Sequence, residues 1–312
     1  MAGPVPSAEY EVTALRYGTR TARRSEVFLH FELYREPDRE LAMDYFVWVA
    51  RNADRTVLID CGFNERSGAR RHRTMLCPPV EALRRIGVDA TEVGQLIVTH
   101  AHYDHIGNLL SFPAARVVVT DREFAFWTSP LSRKPLFMTS AEEADIDVLR
   151  QLAEASRVDF VSGQARVAPG IEVVEIGGHT PGQLAVIIGT ARGETVIASD
   201  ALHYYEEMTQ DRPFAHVTDV PAMYAGFGWL REQAAAGREI VAGHDPQVMQ
   251  RYPAVTGAAG LAVSISGRDS SAERAAQPSA ERSPVHDQPT GRIHRPGEHG
   301  RPDDAAAGRR GL

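Results

Sequence analysis

The chain has 312 residues, enough for one large domain or two ordinary ones. Hydrophobic residues make up 43% and charged residues 24%, the balance of a globular protein with a sizeable core. A net charge of -7 argues against a dedicated nucleic-acid binder, and no apolar run is long enough to span a bilayer, so neither nucleic acid nor membrane is an expected partner. The first residues, MAGPVPSAEYEV, have neither a basic start nor an apolar stretch of the secretory kind. Two cysteines, Cys61 and Cys77, are too few for a disulfide framework, and the expected setting is cytoplasmic.

Taken in chain order, Tyr45–Ala50 (YFVWVA) and Thr56–Asp60 (TVLID) are apolar runs on either side of the turn-like NADR, which predicts a hairpin. Arg66–Arg73 (RSGARRHR) concentrates four arginines and a histidine in a loop; a solvated loop is the plain expectation, capture of a carboxylate or polar head group the functional one. Pro79–Ile86 reads as a helix with Val80, Leu83 and Ile86 on one face and Gly87 ending it. Gln95–Thr99 and Ala115–Thr120 read as strands. Between Arg122 and Ala144 lie Phe124, Phe126, Trp127, Phe137 and Met138, which suit either the wall of an acyl-chain pocket or ordinary core packing. Glu172–Ile176, Leu184–Ile188 and Thr195–Ser199 are three further strands, Val220–Ala236 is a helix, and Glu239–Ala242 is a last strand. This succession predicts a layered α/β domain. No glycine-rich phosphate loop follows any strand.

The composition breaks near residue 263. From Pro253 to Leu312 there is no aromatic residue, and beyond Ser264 the chain is dominated by Pro, Gly, Ser, Ala and charge. Such a segment buries too little apolar surface to offset its ordering entropy. The expected organisation is a folded domain over residues 1–263 and a disordered tail over 264–312, with His286, His294 and His299 as solvated tail residues.

The chemistry is concentrated at Thr99-His100-Ala101-His102-Tyr103-Asp104-His105-Ile106-Gly107. Three imidazoles and a carboxylate fall within six positions directly after the strand QLIVT. In extended chain, residues i and i+2 point the same way, so His100 and His102 can share one ion. Asp104 and His105 follow as the chain turns and can face a second. Imidazole and carboxylate suit zinc, iron or manganese. Three further candidates sit at strand exits: His179 in GGHTPG, Asp200 in SD, and His244 in GHD.

That order, HxHxDH followed by His, Asp and His, resembles the metallo-β-lactamase superfamily over roughly residues 40–250. The resemblance implies a four-layer αββα sandwich with two divalent metal ions at one edge, zinc first among the candidates. His100, His102 and His179 would hold one ion, Asp104, His105 and His244 the other, with Asp200 bridging. Asp60 in LIDCG would stand behind the ligands and orient one of them. Cys61 beside it is expected to be a buried structural thiol.

Within the superfamily the chain is most similar to the N-acyl homoserine lactonases, through MDYFVWV, SDALHYYEEM, PFA at 213–215 and GHD. Those enzymes place a catalytic tyrosine three residues after the bridging aspartate. Here that position is His203, with Tyr204 next, so one of the two is expected to donate to the developing oxyanion. The implied reaction is lactone opening by a metal-bridging hydroxide, with Asp104 relaying its proton to the leaving alkoxide. The expected partner is a small lactone or ester, and a homodimer is left open. The alternative is a thioester or ester hydrolase of the glyoxalase II kind; an iron redox enzyme is a third option, although no segment of the chain would serve as a flavin domain.

Overall fold

A computed structural model of the chain describes residues 8–267. In chain order its strands are β1 (Glu11–Arg23), β2 (Glu40–Arg51), β3 (Thr56–Ile59), β4 (Thr74–Met75), β5 (Gln95–Ile97), β6 (Arg116–Thr120), β7 (Val158–Val161), β8 (Gln164–Ala168), β9 (Ile171–Glu175), β10 (Leu184–Thr190), β11 (Gly193–Ser199), β12 (Glu239–Ala242) and β13 (Ala262–Ser264). They form an eight-stranded sheet, ordered β13-β1-β2-β3-β5-β6-β7 with β4 beside β1, and a five-stranded sheet ordered β12-β11-β10-β9-β8.

Alternation along the strands builds the layers. Phe46, Trp48, Ile59, Ile97 and Val118 face the second sheet and meet Val173, Val186, Ile197 and Val241 there. Their neighbours Tyr45, Val47, Leu58, Leu96, Val117 and Val119 face the other way, onto Leu83 of helix Pro79–Arg85 and Ile146, Leu149 and Leu152 of helix Glu143–Glu154. Met223, Phe227 and Leu230 of helix Val220–Ala235 cover the outside of the second sheet. The result is the expected helix, sheet, sheet, helix stack. Fully burying a side chain of the size of Trp48 or Phe46 contributes about 1.5–3 kcal/mol, so both the inter-sheet layer and the layer under the helices stabilise the fold.

The predicted hairpin is present, with Trp48 opposite Ile59 and Arg51 opposite Thr56. The longest strand, β1, went unpredicted. It is buried on both faces, with Val12 and Ala14 on one side and Leu15 and Tyr17 on the other, and a bulge between Arg16 and Gly18 breaks the period further.

The expected boundary at 263 falls inside β13. Ser264 pairs with Thr13, the Ile265 N–H donates to the Val12 carbonyl, and Val12 N–H donates to Ser266 Oγ. Hydrogen bonding to β1 therefore carries the fold past the predicted end, and the rest of the tail expected over 264–312, from 268 onward, lies outside the described residues. Among the described residues, no helix is long and apolar enough to cross a membrane.

Topology creates the site. β3, β5 and β6 run parallel, as do β11 and β12. β9 and β11 are each antiparallel to β10 and so share a direction. The C-terminal ends of these strands hand over to Asp60, His100, Thr120, His179, Asp200 and His244.

Candidate metal centre

Beyond β5 the chain runs through His100 to His102, whose extended backbone precedes the short helix Tyr103–Ile106. His100 Nε2 lies 3.0 Å from His102 Nδ1, and His179 Nε2 lies 2.9 Å from the same atom. Asp200 Oδ2 is 3.3 Å from His179 Nε2 and 3.7 Å from His100 Nε2. These four form one group of ligand-competent side chains; Asp104, His105 and His244 form another, the ligand atoms of each group lying within 4.8 Å of one another. Asp200 Oδ1 stands between the groups, 3.3 Å from His105 Nε2 and 3.1 Å from His244 Nε2. Asp104 is 3.8 Å from each of those imidazole nitrogens. All seven predicted ligands are thus brought together, and the two oxygens of Asp200 divide between the two groups.

The donor set fits divalent cations. His105 Nε2, His244 Nε2 and Asp200 Oδ1 are buried without a hydrogen-bond partner among the described residues, an arrangement that costs free energy unless something satisfies the converging lone pairs. Burial pushes the imidazoles of His100, His102 and His179 well below their usual pKa, which keeps them in the neutral, ligating form.

A second set of groups aims the first. Asp60, fully buried and in the left-handed region at φ 59°, accepts from Thr99 N at 2.8 Å and lies 2.7 Å from His105 Nδ1. The predicted orienting role for Asp60 thus has its geometry. The Asp44 carbonyl meets His244 Nδ1 at 2.7 Å, leaving Nε2 for the site. Glu123 does most of the positioning and was not predicted. One of its oxygens accepts from Ala101 N at 2.9 Å and Trp127 Nε1 at 2.7 Å, the other from Gly182 N at 2.9 Å. It ties the loop of His100 and His102 to the loop of His179. The Cys61 thiol is buried and donates to the His105 carbonyl, as expected of a structural cysteine.

The two candidate oxyanion donors separate. Tyr204 is buried with its hydroxyl on the Ala42 carbonyl at 3.1 Å, outside the lining of the site pocket. The option that Tyr204 donates into the site is therefore corrected: the capping of the next helix by Glu207, which accepts from Tyr204 N at 2.9 Å, turns the side chain away. His203 is fully buried, stacked on Phe214 at 3.6 Å, with Nε2 3.0 Å from Asp200 Oδ2 and Nδ1 3.4 Å from Glu207 Oε1. Burial opposes charge on this ring, but Asp200 and Glu207 on its two sides lift its pKa to about 9. His203 stands beside Asp200 and, like Tyr204, is absent from the pocket lining.

The pocket over the site has a volume of about 100 Å³, and its outer lining comes from Arg20, Tyr45, Arg71, Arg73, Ser140 and His216. The sequence flagged only the arginine-rich run among these. The aromatic stretch does not line it: Trp127 is buried with its ring 5.4 Å from that of His102, while Phe124, Phe126, Phe137 and Met138 are half-buried at the edge of the core, Phe126 packing on Phe137 at 5.1 Å.

Residues 43–250 match the family described as Metallo-beta-lactamase superfamily. An N-acyl homoserine lactonase of a Bacillus species is 24% identical over 168 residues, which cover 53% of this chain and 61% of that protein. One from Bacillus thuringiensis is 26% identical over 44% of this chain and 49% of its own length. The chain thus spans about half to three-fifths of these lactonases. A protein of Mycobacterium tuberculosis described as "Probable metallo-hydrolase" is 26% identical over 67% of this chain and 74% of its own. A crystal structure of a quorum-quenching N-acyl homoserine lactone lactonase superposes with a TM-score of 0.65 at 21% identity, covering 77% of this chain and 95% of that one. An N-acyl homoserine lactone hydrolase with N-hexanoyl-L-homoserine at its metal centre superposes at 0.66 with 19% identity, over 79% and 97% of the two chains. With two-thirds of its length matched and its two sheets superposing on those structures, the chain belongs to the metallo-beta-lactamase superfamily.

Proposed function

We propose that the protein is a dinuclear metal-dependent hydrolase that opens a small lactone. The observation that carries this reading is the pair of ligand groups sharing Asp200 beneath a pocket of about 100 Å³. Divalent ions, zinc first among the candidates, supply Lewis acidity toward a carbonyl and a water-derived nucleophile at neutral pH. His100, His102 and His179 would hold one ion, Asp104, His105 and His244 the other, and Asp200 both. Asp104 lines the pocket as well, so its carboxylate can receive the nucleophile's proton and return it to the leaving alkoxide. Asp60, Glu123 and His203 keep the ligands from relaxing when charge develops. The small pocket, below the roughly 300–1,000 Å³ usual for ligand sites, supports a compact substrate over a long acyl chain.

A second reading, an ester or thioester hydrolase of the glyoxalase II kind, is favoured by one observation: the tyrosine expected of a lactonase is replaced by a histidine held away from the pocket. Turnover of γ- and δ-lactones, aryl esters and thioesters by metal-loaded protein, followed in a pH-stat, separates the two. Faster opening of lactones supports the first reading, and selective cleavage of thioesters the second. Inactivity toward all of them refutes both.

A further inference from the structure

Three arginines, Arg20, Arg71 and Arg73, line the mouth of the site. Arg71 is already used: it pairs with Glu142 and lies over the Tyr103 ring, 4.2 Å from its centroid. Arg73 and Arg20 are different, since neither forms an ion pair with a carboxylate among the described residues. Arg73 is held by Nε donating to the Tyr103 hydroxyl at 3.1 Å and one terminal nitrogen donating to the Arg71 carbonyl at 2.6 Å, which leaves its other terminal nitrogen free. Arg20, on β1, donates through Nε to the Met43 sulfur at 3.2 Å, and neither of its terminal nitrogens has a hydrogen-bond partner among the described residues. The two arginines come from separate parts of the fold, yet both line the pocket over the site, so they face a common space.

That space belongs to the site pocket, whose only carboxylates are Asp104 and Asp200, the ones assigned to the metals. In a chain of net charge -7, a rim of arginines not committed to an ion pair attracts anions and steers them into the cleft. Paired guanidinium groups with free terminal nitrogens match the oxygens of a carboxylate or phosphate.

We propose that Arg20 and Arg73 form an oxyanion-binding subsite at the rim of the pocket, so that the preferred substrate carries a carboxylate or phosphate beside its scissile bond. The substrate half of this inference rests on the hydrolase reading; the subsite itself does not. Neutral acyl tails would leave both guanidinium groups without a partner.

The test has two arms. Titration calorimetry of succinate and of inorganic phosphate into metal-loaded wild-type protein and into Arg20→Gln, Arg73→Gln and double variants reads the subsite directly. Affinity should fall by roughly tenfold for each lost charge-assisted contact. Equal affinity in wild type and double variant, meaning that the anion sits on the metals alone, overturns the proposal. The tighter-binding probe tells carboxylate from phosphate. The second arm compares a γ-lactone bearing a carboxylate with its carboxamide counterpart. Wild type should favour the carboxylate by about tenfold or more in kcat/KM, chiefly through KM, and the double variant should lose the preference at unchanged metal content. Arg73→Lys, which keeps the charge and much of the packing, should recover part of it, and guards against a folding defect. Equal turnover of the two lactones, or a preference that survives the double substitution, also overturns the proposal. If neither lactone is hydrolysed by wild type, the lactone reading has failed, while the calorimetry still decides the subsite.

Discussion

Glu123 is the clearest place to perturb the site without touching a ligand. Its carboxylate is fully buried and receives three N–H donors, from Ala101, Gly182 and the Trp127 indole. Glu123→Gln keeps the shape but puts an amide NH2 where an acceptor stood, so at least one buried donor must face another donor. An orphaned buried donor costs about 1–3 kcal/mol, and the bonds that remain lose the strength that a charged acceptor gives them. The expected loss is about 2–5 kcal/mol, a large part of the 5–15 kcal/mol typical of a domain. Ala101 separates His100 from His102, and Gly182 lies three residues beyond His179, so the loosening falls on the ligand loops. Metal affinity should drop by about 10- to 100-fold, as when an orienting partner is removed. Urea denaturation and chelator competition on the same preparations measure both effects. A variant within 0.5 kcal/mol of wild type, with unchanged metal affinity, would refute the idea that this carboxylate ties the loops together.

Asp60→Asn should weaken metal retention by roughly 10-fold or more with little change in secondary structure, because it removes the carboxylate behind His105; chelator competition and circular dichroism report the two. His203→Ala should lower kcat by roughly 10- to 100-fold by freeing Asp200, whereas Tyr204→Phe, which loses one bond to a backbone carbonyl, should cost about 1 kcal/mol in stability and little activity. The reverse order in a steady-state assay would mean that Tyr204 turns toward the substrate. Asp145 supplies a pH test. Burial, then the charge of Glu142, lifts its carboxyl to about 7. The folded form therefore binds a proton that the unfolded form has released above about pH 4, and this group subtracts stability as pH rises from about 4 through 7. Asp145→Asn should melt above wild type at pH 8, the gap closing toward pH 4; a gap of constant size would contradict that assignment.

The clustering of the seven candidate ligands was readable because each is a metal-competent residue at or just beyond a strand exit, and the strands of the two sheets deliver those exits to one end of the sandwich. Asp60 was readable for the same reason. Glu123 was not: apart from the Trp127 indole four residues on, its partners are backbone N–H groups 22 and 59 residues away. The direction of the side chains after Asp200 was also hidden, since Glu207 and Phe214 decide it through capping and stacking. Arg73 stood out within an arginine-rich run, but only the packing shows that Arg71 is neutralised while Arg73 is free. Arg20 carried no local signal at all, lying on a strand whose burial on both faces and bulge at Arg16 conceal its period.

Metal stoichiometry tests the central claim most directly. Wild-type protein loaded with zinc, freed of excess ion and analysed by plasma mass spectrometry, should carry two ions per chain. His244→Ala should carry one, because it removes a ligand from the second group while leaving His100, His102, His179 and Asp200 intact. A single ion per chain in both proteins would contradict the dinuclear account.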